Sequence, residues 1–178
     1  MSDTRDQRGL AATVANAGTS NGGETRSGTG AGLRTGYRHF LALPTRWMDN
    51  DSYGHVNNVT YYSYFDTAVN EHLIRAGGLD IARDPVVGFV VETGCRYRKP
   101  LSFPETIDVG LRVVKLGTSS VRYEIGIFQQ GDDEPAATGH FVHVWVDRAS
   151  MRPAPLPPRI RAALEPLVVQ SPAAERGG

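Results

Sequence analysis

The sequence has little of several features that would assign a protein to a broad class. Only one of its 178 residues is a cysteine, which excludes a disulfide within the chain and a thiolate metal cluster built from one chain. Lysine plus arginine and aspartate plus glutamate both number 19, so the formal net charge is zero. This balance removes the bulk attraction on which non-specific binding to nucleic acid or anionic membranes depends.

Long apolar runs are also absent. No stretch of about 18 consecutive apolar residues occurs, so we expect no membrane-spanning helix. The first residues lack the apolar stretch of a secretory signal, and a single cysteine fits a reducing compartment. We therefore expect a cytoplasmic protein that binds neither nucleic acid nor membrane.

The two ends of the chain differ in composition from its middle. Residues 1–36 are rich in glycine, serine, threonine and alanine and have almost no large apolar side chains. Such a segment buries too little surface to offset its loss of conformational entropy. We predict a disordered tail over 1–36, one domain over 37–169 and a second disordered tail over 170–178.

One long helix is predicted in the first half of the domain. From Asn58 to Ala76, large side chains recur at steps of three and four residues, which places them on one helical face. The predicted face comprises Val59, Tyr62, Phe65, Val69 and Leu73, widened by Tyr61, Ala68 and His72. Gly77 and Gly78 follow it and are typical of a helix end.

Strands dominate the rest of the domain. One is predicted before the helix, over Tyr37–Trp47, and a short helix is predicted after the last strand, over Arg159–Leu167. Four strands with alternating side chains lie between the two helices, over Val86–Tyr97, Thr106–Leu116, Val121–Gln130 and Ala136–Asp147. A sheet with one long helix segregated on one side is an α+β architecture.

The outer side of this predicted sheet has apolar residues that need cover. Phe128, Val142 and Val144 are predicted to point away from the helix. Uncovered sheet faces and edges are usually paired with a second chain. We therefore expect a homodimer that assembles further to a homotetramer.

The stretch from Asp49 to Asn58, between the first strand and the long helix, has the residues of a hydrolytic site. It places carboxylates, Asp51 among them, before a glycine and then a helix N-terminus. The first N–H groups of a helix lack internal acceptors and can stabilise an oxyanion. A facing carboxylate can attack an acyl carbon or activate water. The same residue types are typical of a plain helix cap, and spacing alone leaves both interpretations open.

One motif indicates a family. The sequence contains Arg46-Trp47-x-Asp49-x-Asp51-x-x-Gly54-His55-Val56-Asn57-Asn58-x-x-Tyr61-x-x-Tyr64-Phe65-Asp66. This motif resembles that of the 4-hydroxybenzoyl-coenzyme A thioesterase branch of the hot-dog superfamily, and the resemblance extends over about Tyr37 to Leu167. It implies a hot-dog fold, in which an antiparallel sheet wraps around one long central helix and the dimer is obligate. It also implies hydrolysis of an acyl-CoA or acyl-carrier-protein thioester, with no metal and no cofactor.

The resemblance further implies roles for individual residues. Asp51 matches the catalytic aspartate, as nucleophile or general base, and the backbone amide of Asn58 matches the group that polarises the carbonyl. Gly54 matches the glycine that lets the loop approach the substrate. His55 and Asn57 are expected to shape the pocket and to hold the loop across the dimer. Tyr61 is expected to line an acyl tunnel or to pack the helix.

Basic and hydroxyl residues are expected to contact the phosphates of coenzyme A. Arg98 at a strand end and Lys115, Thr118 and Ser119 in a hairpin match the positions that family members use. This hairpin departs from the arginine-rich version of the family, which puts its phosphate contacts in doubt.

Several alternatives stay open at this point. A neighbouring branch has its catalytic carboxylate within the helix, which makes Asp66 and Glu71 reserve candidates. A non-catalytic hot-dog domain that binds acyl-CoA is the alternative from a different class of function. A hydratase needs an aspartate and a histidine in another arrangement, which the sequence does not contain. His140 and His143 are predicted to point to opposite faces of a strand, which argues against a metal pair.

Overall fold

The computed structural model describes residues 32–169. Its elements are β1 (His39–Pro44), α1 (Thr60–Arg75), β2 (Val86–Tyr97), β3 (Thr106–Leu116), β4 (Ser120–Gln129), β5 (Ala137–Asp147) and α2 (Pro158–Leu164). Short 3-10 turns occupy Arg34–Gly36, Trp47–Asp49 and Glu165–Leu167. The predicted tail over 170–178 and most of the predicted tail over 1–36 lie outside the described residues.

The five strands form one antiparallel sheet in the order β1-β3-β4-β5-β2. The helix α1 packs on one face of this sheet, where its buried residues join those of β3, β4 and β5 in one core. The predicted α+β architecture is confirmed. The helix α1 connects β1 to β2, and these two strands lie at opposite edges of the sheet. No described helix is long and apolar enough to cross a membrane.

The long helix begins and ends within two residues of its predicted bounds. Its buried residues are Tyr61, Tyr64, Phe65, Ala68, Val69, His72 and Leu73. The prediction for Val59 is wrong, because Val59 precedes the first helical turn and is 66% exposed. Tyr64, which is not part of the predicted face, is buried, and its hydroxyl donates a hydrogen bond to Asp49 at 2.8 Å.

The chain itself covers part of the outer side of the sheet. The prediction that Phe128 needs a partner chain is wrong, because the rings of Tyr37 and Phe40 pack edge-to-face on it at 5.4 and 5.9 Å. Glycines at positions 110 and 126 form a hollow for Tyr37, since a Cβ there would lie 2.9 and 2.7 Å from its ring. Arg34 adds an ion pair with Asp108 at 2.5 Å. Residues 34–36, assigned to the tail from sequence, therefore pack on the domain.

The inner side of the sheet contains a buried histidine without hydrogen-bond partners. His143 is 2% exposed, and neither ring nitrogen has a partner among residues 32–169. Its ring packs against that of Tyr123, with 5.1 Å between centroids. Burial lowers the pKa of His143 to about 4. His140 lies on the other side of the sheet, 2.9 Å from Glu92, so the two histidines face apart as predicted.

We expect His143→Phe to raise the free energy of unfolding at pH 7 by about 1 kcal/mol, because two unpaired buried nitrogens are removed. In the wild type the pKa of His143 is lower in the folded than in the unfolded state, so protons favour unfolding. Stability should therefore fall as the pH drops through the window from 6.5 to about 4. By pH 5 the loss attributable to His143 should be about 2 kcal/mol.

Urea unfolding at pH 7 and pH 5 measures both effects. The matched control is Val142→Thr, a change at a half-buried position of the same strand that removes no titratable group, so it should keep the wild-type pH dependence. If His143→Phe and wild type lose the same stability between the two pH values, the assignment of this pH dependence to His143 is wrong.

Candidate active site

The segment from Asn50 to Val56 folds into a small closed loop. Its end residues, Asn50 and Val56, form an antiparallel bridge that closes the loop. Within it, the Asp51 N–H donates to the carbonyl of His55 at 2.8 Å, and the Gly54 N–H donates to the carbonyl of Asp51 at 3.1 Å. Gly54 has a φ of 82°, a conformation that glycine adopts without a Cβ clash. The turn therefore fixes the backbone on both sides of Asp51.

Two contacts attach this loop to the connection before β3. The Val56 N–H donates to the carbonyl of Leu101 at 2.7 Å. The Phe103 N–H donates to the side-chain oxygen of Asn50 at 3.1 Å. The position of the loop relative to the sheet is therefore set by residues 101–103, which sequence analysis did not single out.

Asp49 anchors the loop to the start of the domain. Its carboxylate is 1% exposed and accepts hydrogen bonds from the backbone and guanidinium of Arg46 at 2.7–3.0 Å and from the hydroxyl of Tyr64 at 2.8 Å. Burial alone would raise the pKa of Asp49, but these hydrogen bonds outweigh it and hold the pKa below its usual value. Both oxygens are occupied, so this carboxylate has a structural role.

Asp51 is only half-buried and less fully bonded. Its Oδ1 accepts hydrogen bonds from the backbone N–H groups of Tyr53 at 2.8 Å and His55 at 3.4 Å. Its Oδ2 has no donor within hydrogen-bond distance in the described part of the chain. One oxygen therefore orients the carboxylate while the other stays available.

Asp51 opens onto a cleft of about 360 Å³ between the loop, the start of α1 and the end of β2. The lining residues are Asp51, His55, Val56, Asn58, Tyr61, Tyr97, Arg98, Lys99 and Pro100. The structure thus brings together five of the residues predicted for the site, namely Asp51, His55, Asn58, Tyr61 and Arg98. Gly54 and Asn57, also predicted for the site, are not among the lining residues. Gly54 belongs to the turn that fixes the backbone around Asp51, and Asn57 accepts hydrogen bonds from the amides of Val59 and Thr60.

The Asn58 amide is a free donor at the beginning of α1. The next two amides are occupied, since Val59 donates to the side-chain oxygen of Asn57 at 3.2 Å and Thr60 donates to its carbonyl at 2.9 Å. The Asn58 N–H finds no acceptor among residues 32–169. Asn57 therefore occupies the amides of Val59 and Thr60 and leaves the amide of Asn58, a cleft-lining residue, unpaired.

Tyr97 is a site residue that sequence analysis missed. Its hydroxyl donates to the carbonyl of Asn58 at 3.0 Å, and its ring packs edge-to-face on Tyr61 with centroids 5.0 Å apart. Burial raises the pKa of Tyr97, so the hydroxyl stays protonated as a donor. The contact ties the end of β2 to the peptide that carries the free amide. The one feature of the sequence that could have indicated Tyr97 as a site residue is that it precedes Arg98 at the end of a predicted strand.

Three predicted phosphate contacts lie far from this cleft within the chain. Tyr97 pairs with Ala137 at the start of β5, whereas Lys115, Thr118 and Ser119 belong to the hairpin at the opposite end of the sheet. The length of β3 separates the two ends by about 30 Å. The single chain does not bring these three residues to Asp51, and their role remains a prediction.

The reserve carboxylates and candidate metal ligands lie outside the cleft as well. Asp66 is exposed and accepts a hydrogen bond from Asn70 at 3.0 Å, while Glu71 pairs with Arg75 at 2.5 Å. Cys95 is half-buried, and burial raises the pKa of its thiol. Among the described residues no group of three or more histidine, cysteine, aspartate or glutamate side chains is placed to hold a metal ion.

Comparison with known proteins assigns the family. The model of the thioesterase-like superfamily matches residues 45–164. The chain belongs to this superfamily. The match includes α1, β2 to β5 and the whole of the Asp51 cleft.

Solved structures of superfamily relatives agree with the fold. The PA5185 protein from Pseudomonas aeruginosa strain PAO1 is 55% identical, with a TM-score of 0.76 over 79% of this chain and 97% of that chain. A thioesterase from Thermus thermophilus, crystallised with coenzyme A and zinc, is 33% identical, with a TM-score of 0.63 over 74% and 95%. The five-stranded sheet and long helix are therefore the hot-dog fold of thioesterases, which confirms the resemblance found in the sequence.

A more distant relative has a defined name. The acyl-acyl carrier protein thioesterase ATL3 of Arabidopsis thaliana, a chloroplastic protein, is 25% identical over 126 residues. The matched part covers 70% of this chain and 66% of that protein, just under two thirds of its length. These relatives and the superfamily support thioester hydrolysis as the general activity.

Tyr97→Phe should lower kcat for thioester hydrolysis about fivefold, because one hydrogen bond worth about 1 kcal/mol no longer orients the Asn58 peptide. Steady-state kinetics measures the effect. Tyr53→Phe is the control, since Tyr53 is a tyrosine in the loop of Asp51 whose side chain is 85% exposed. Equal losses in the two variants would contradict a specific role for the contact between Tyr97 and Asn58.

Proposed function

We propose that this superfamily member hydrolyses an acyl-CoA thioester to the free acid and the thiol. The observation that carries the proposal is that Asp51 lines one cleft with Asn58, whose backbone amide has no acceptor among residues 32–169. Acyl hydrolysis needs an oxygen nucleophile or base together with a donor for the developing oxyanion. The Thermus relative crystallised with coenzyme A supports coenzyme A as the thiol carrier. The Arabidopsis relative keeps carrier-protein thioesters as the second candidate class.

The proposed reaction places the thioester carbonyl between the free oxygen of Asp51 and the N–H of Asn58. Asp51 either attacks the carbonyl carbon and displaces the thiolate, giving an anhydride that water hydrolyses, or takes a proton from an attacking water. On either route the carbonyl oxygen gains negative charge and accepts a hydrogen bond from Asn58. The positive end of the α1 dipole adds to this stabilisation.

A substrate panel tests the proposal. Thiol release is measured with short-chain, long-chain and aromatic acyl-CoA thioesters and with acyl-carrier-protein thioesters. Calorimetry with a thioether analogue, which cannot be hydrolysed, measures binding separately. Tight binding of the analogue without thiol release from any thioester would favour the alternative of a non-catalytic acyl-CoA-binding domain.

We also propose that the working unit is a homodimer joined through β2 and that dimers assemble to a homotetramer. The outer edge of β2 has no neighbouring strand in the described part of the chain, and Phe89, Val90 and Val91 are 43–60% exposed along it. Antiparallel pairing of two such edges about a two-fold axis would bring the hairpin end of one sheet towards the Asp51 end of the other. In this arrangement the hairpin that contains Lys115 in one chain would lie near the Asp51 cleft of its partner.

Light scattering on the full-length protein measures the assembly. A dimer or tetramer is expected throughout the concentration range used in activity assays. A fully active monomer would contradict the proposal that two chains share a site.

A further inference from the structure

A second cleft, of about 460 Å³, lies on the outer side of the sheet, away from α1. Four arginines line it, namely Arg112 of β3, Arg122 of β4, Arg96 of β2 and Arg98 just beyond β2. They come together because β3, β4, β5 and β2 are consecutive in the sheet and alternate residues of each strand point outward. Of these arginines, only Arg98 also lines the Asp51 cleft.

The charges in this outer cleft do not cancel. Arg112 pairs with Glu124, and Arg122 pairs with Glu92 at 3.0 Å. The other two arginines have no carboxylate within ion-pair distance among residues 32–169. Four guanidinium groups and two carboxylates leave an excess of two positive charges. The two existing pairs hold their arginines in place along the wall of the cleft.

The floor of the outer cleft adds two more polar side chains, those of His140 and Thr138. The ring of His140 packs on Gly94 of β2, where a Cβ would lie 2.8 Å from it, so the missing side chain makes room for the imidazole at the floor. Thr138, which lies opposite Arg96 in the β2–β5 pairing, adds a hydroxyl to the same wall. A cleft of this volume, lined by donors, is of the size that binds small molecules.

We propose that the outer cleft binds a phosphate-bearing small molecule of about mononucleotide size, held by Arg96 together with Arg98 and Arg122. The planar fork of a guanidinium group matches two phosphate oxygens, and a phosphate dianion balances the excess charge. The phosphate has two candidate sources. It belongs either to the coenzyme that carries the acyl group, in which case the inference rests on the proposed function, or to a separate nucleotide that acts as an effector.

Calorimetry on the full-length protein with adenosine 3′,5′-bisphosphate tests the site. The double variant Arg96→Gln/Arg122→Gln, which spares Arg98 because that residue also lines the Asp51 cleft, should bind this probe at least tenfold more weakly than wild type. The control Arg83→Gln, whose side chain is 88% exposed and lies outside the cleft, should bind it as wild type does. Absence of binding to wild type, or equal binding by the double variant, would overturn the proposal.

Kinetics separates the two sources. If the phosphates are those of acyl-CoA, the bisphosphate competes with acyl-CoA. The double variant then raises KM about tenfold for acyl-CoA relative to the corresponding acyl-pantetheine, which lacks the nucleotide. If the phosphate belongs to an effector, the bisphosphate changes kcat without competing, and the double variant loses this response.

The two proposals fail in different ways. Bisphosphate binding with no hydrolysis of any thioester would reject the proposed function and keep the anion site. Hydrolysis of acyl-CoA with no bisphosphate binding would reject the anion site and keep the proposed function.

Discussion

Asp51→Asn should lower kcat for thioester hydrolysis by about 10³-fold while leaving the free energy of unfolding within about 1 kcal/mol of wild type. Asparagine has nearly the same shape but supplies neither a nucleophilic oxygen nor a base. Its amide oxygen can still accept from the N–H groups of Tyr53 and His55, so the loop is expected to survive. Thiol release and urea unfolding measure the two quantities on the same preparation.

Asp66→Asn is the matched control for this experiment. Asp66 is an exposed carboxylate on α1, and it is also a reserve candidate for catalysis from the helix. Its variant should keep at least half of the wild-type kcat. If Asp51→Asn is active and Asp66→Asn is not, the catalytic carboxylate belongs to the helix and the assignment to the loop is wrong.

Asn58→Pro should lower kcat by about 10²- to 10³-fold, the usual loss when one oxyanion donor is removed. Proline has no N–H, so the substitution deletes the single atom to which the proposal assigns transition-state stabilisation. Because this N–H has no acceptor among the described residues, no hydrogen bond of the fold is lost with it. Proline also restricts the backbone of Asn57, so the melting temperature and the circular dichroism spectrum are measured to check that the start of α1 is kept.

Asn58→Ala distinguishes the amide from the side chain. Alanine keeps the N–H and removes only the carboxamide, so activity should remain within about threefold of wild type. If the alanine and proline variants lose activity equally, the Asn58 side chain rather than its backbone acts on the substrate. If the proline variant is fully active, the oxyanion donor lies elsewhere.

The secondary structure could be predicted from the sequence because its signals are local. Alternating residues located β2 and β3 at the residues where the structure has them, and the three- and four-residue steps located α1. The errors concern contacts between distant parts of the chain. Phe128 has an outward, apolar place in β4, and nothing near it in sequence indicates that Tyr37 covers it.

In the candidate site, too, the residues close together in sequence could be predicted and the distant ones could not. Asp51 and Asn58 lie in one short loop, so a single motif suggests both. Tyr97 and Leu101 come from about forty residues further on, and they reach the loop only because of how the sheet pairs and how the chain leaves β2. Whether the Asn58 amide is unpaired depends on which amides Asn57 accepts from. The sequence shows that an asparagine precedes the helix but not which N–H groups it binds.

The aromatic cover over β3 and β4 has a practical consequence for anyone who trims the gene. The region matched by the superfamily starts at residue 45, after the rings of Tyr37 and Phe40. A fragment that begins at residue 45 would keep Asp51 and its cleft but lose the edge strand β1. The hollow at Gly110 and Gly126 would be empty, and the side chain of Phe128 would be exposed to solvent. Such a fragment should aggregate during purification. An expressed chain should therefore keep Arg34 and the residues after it, with any affinity tag placed before Arg34.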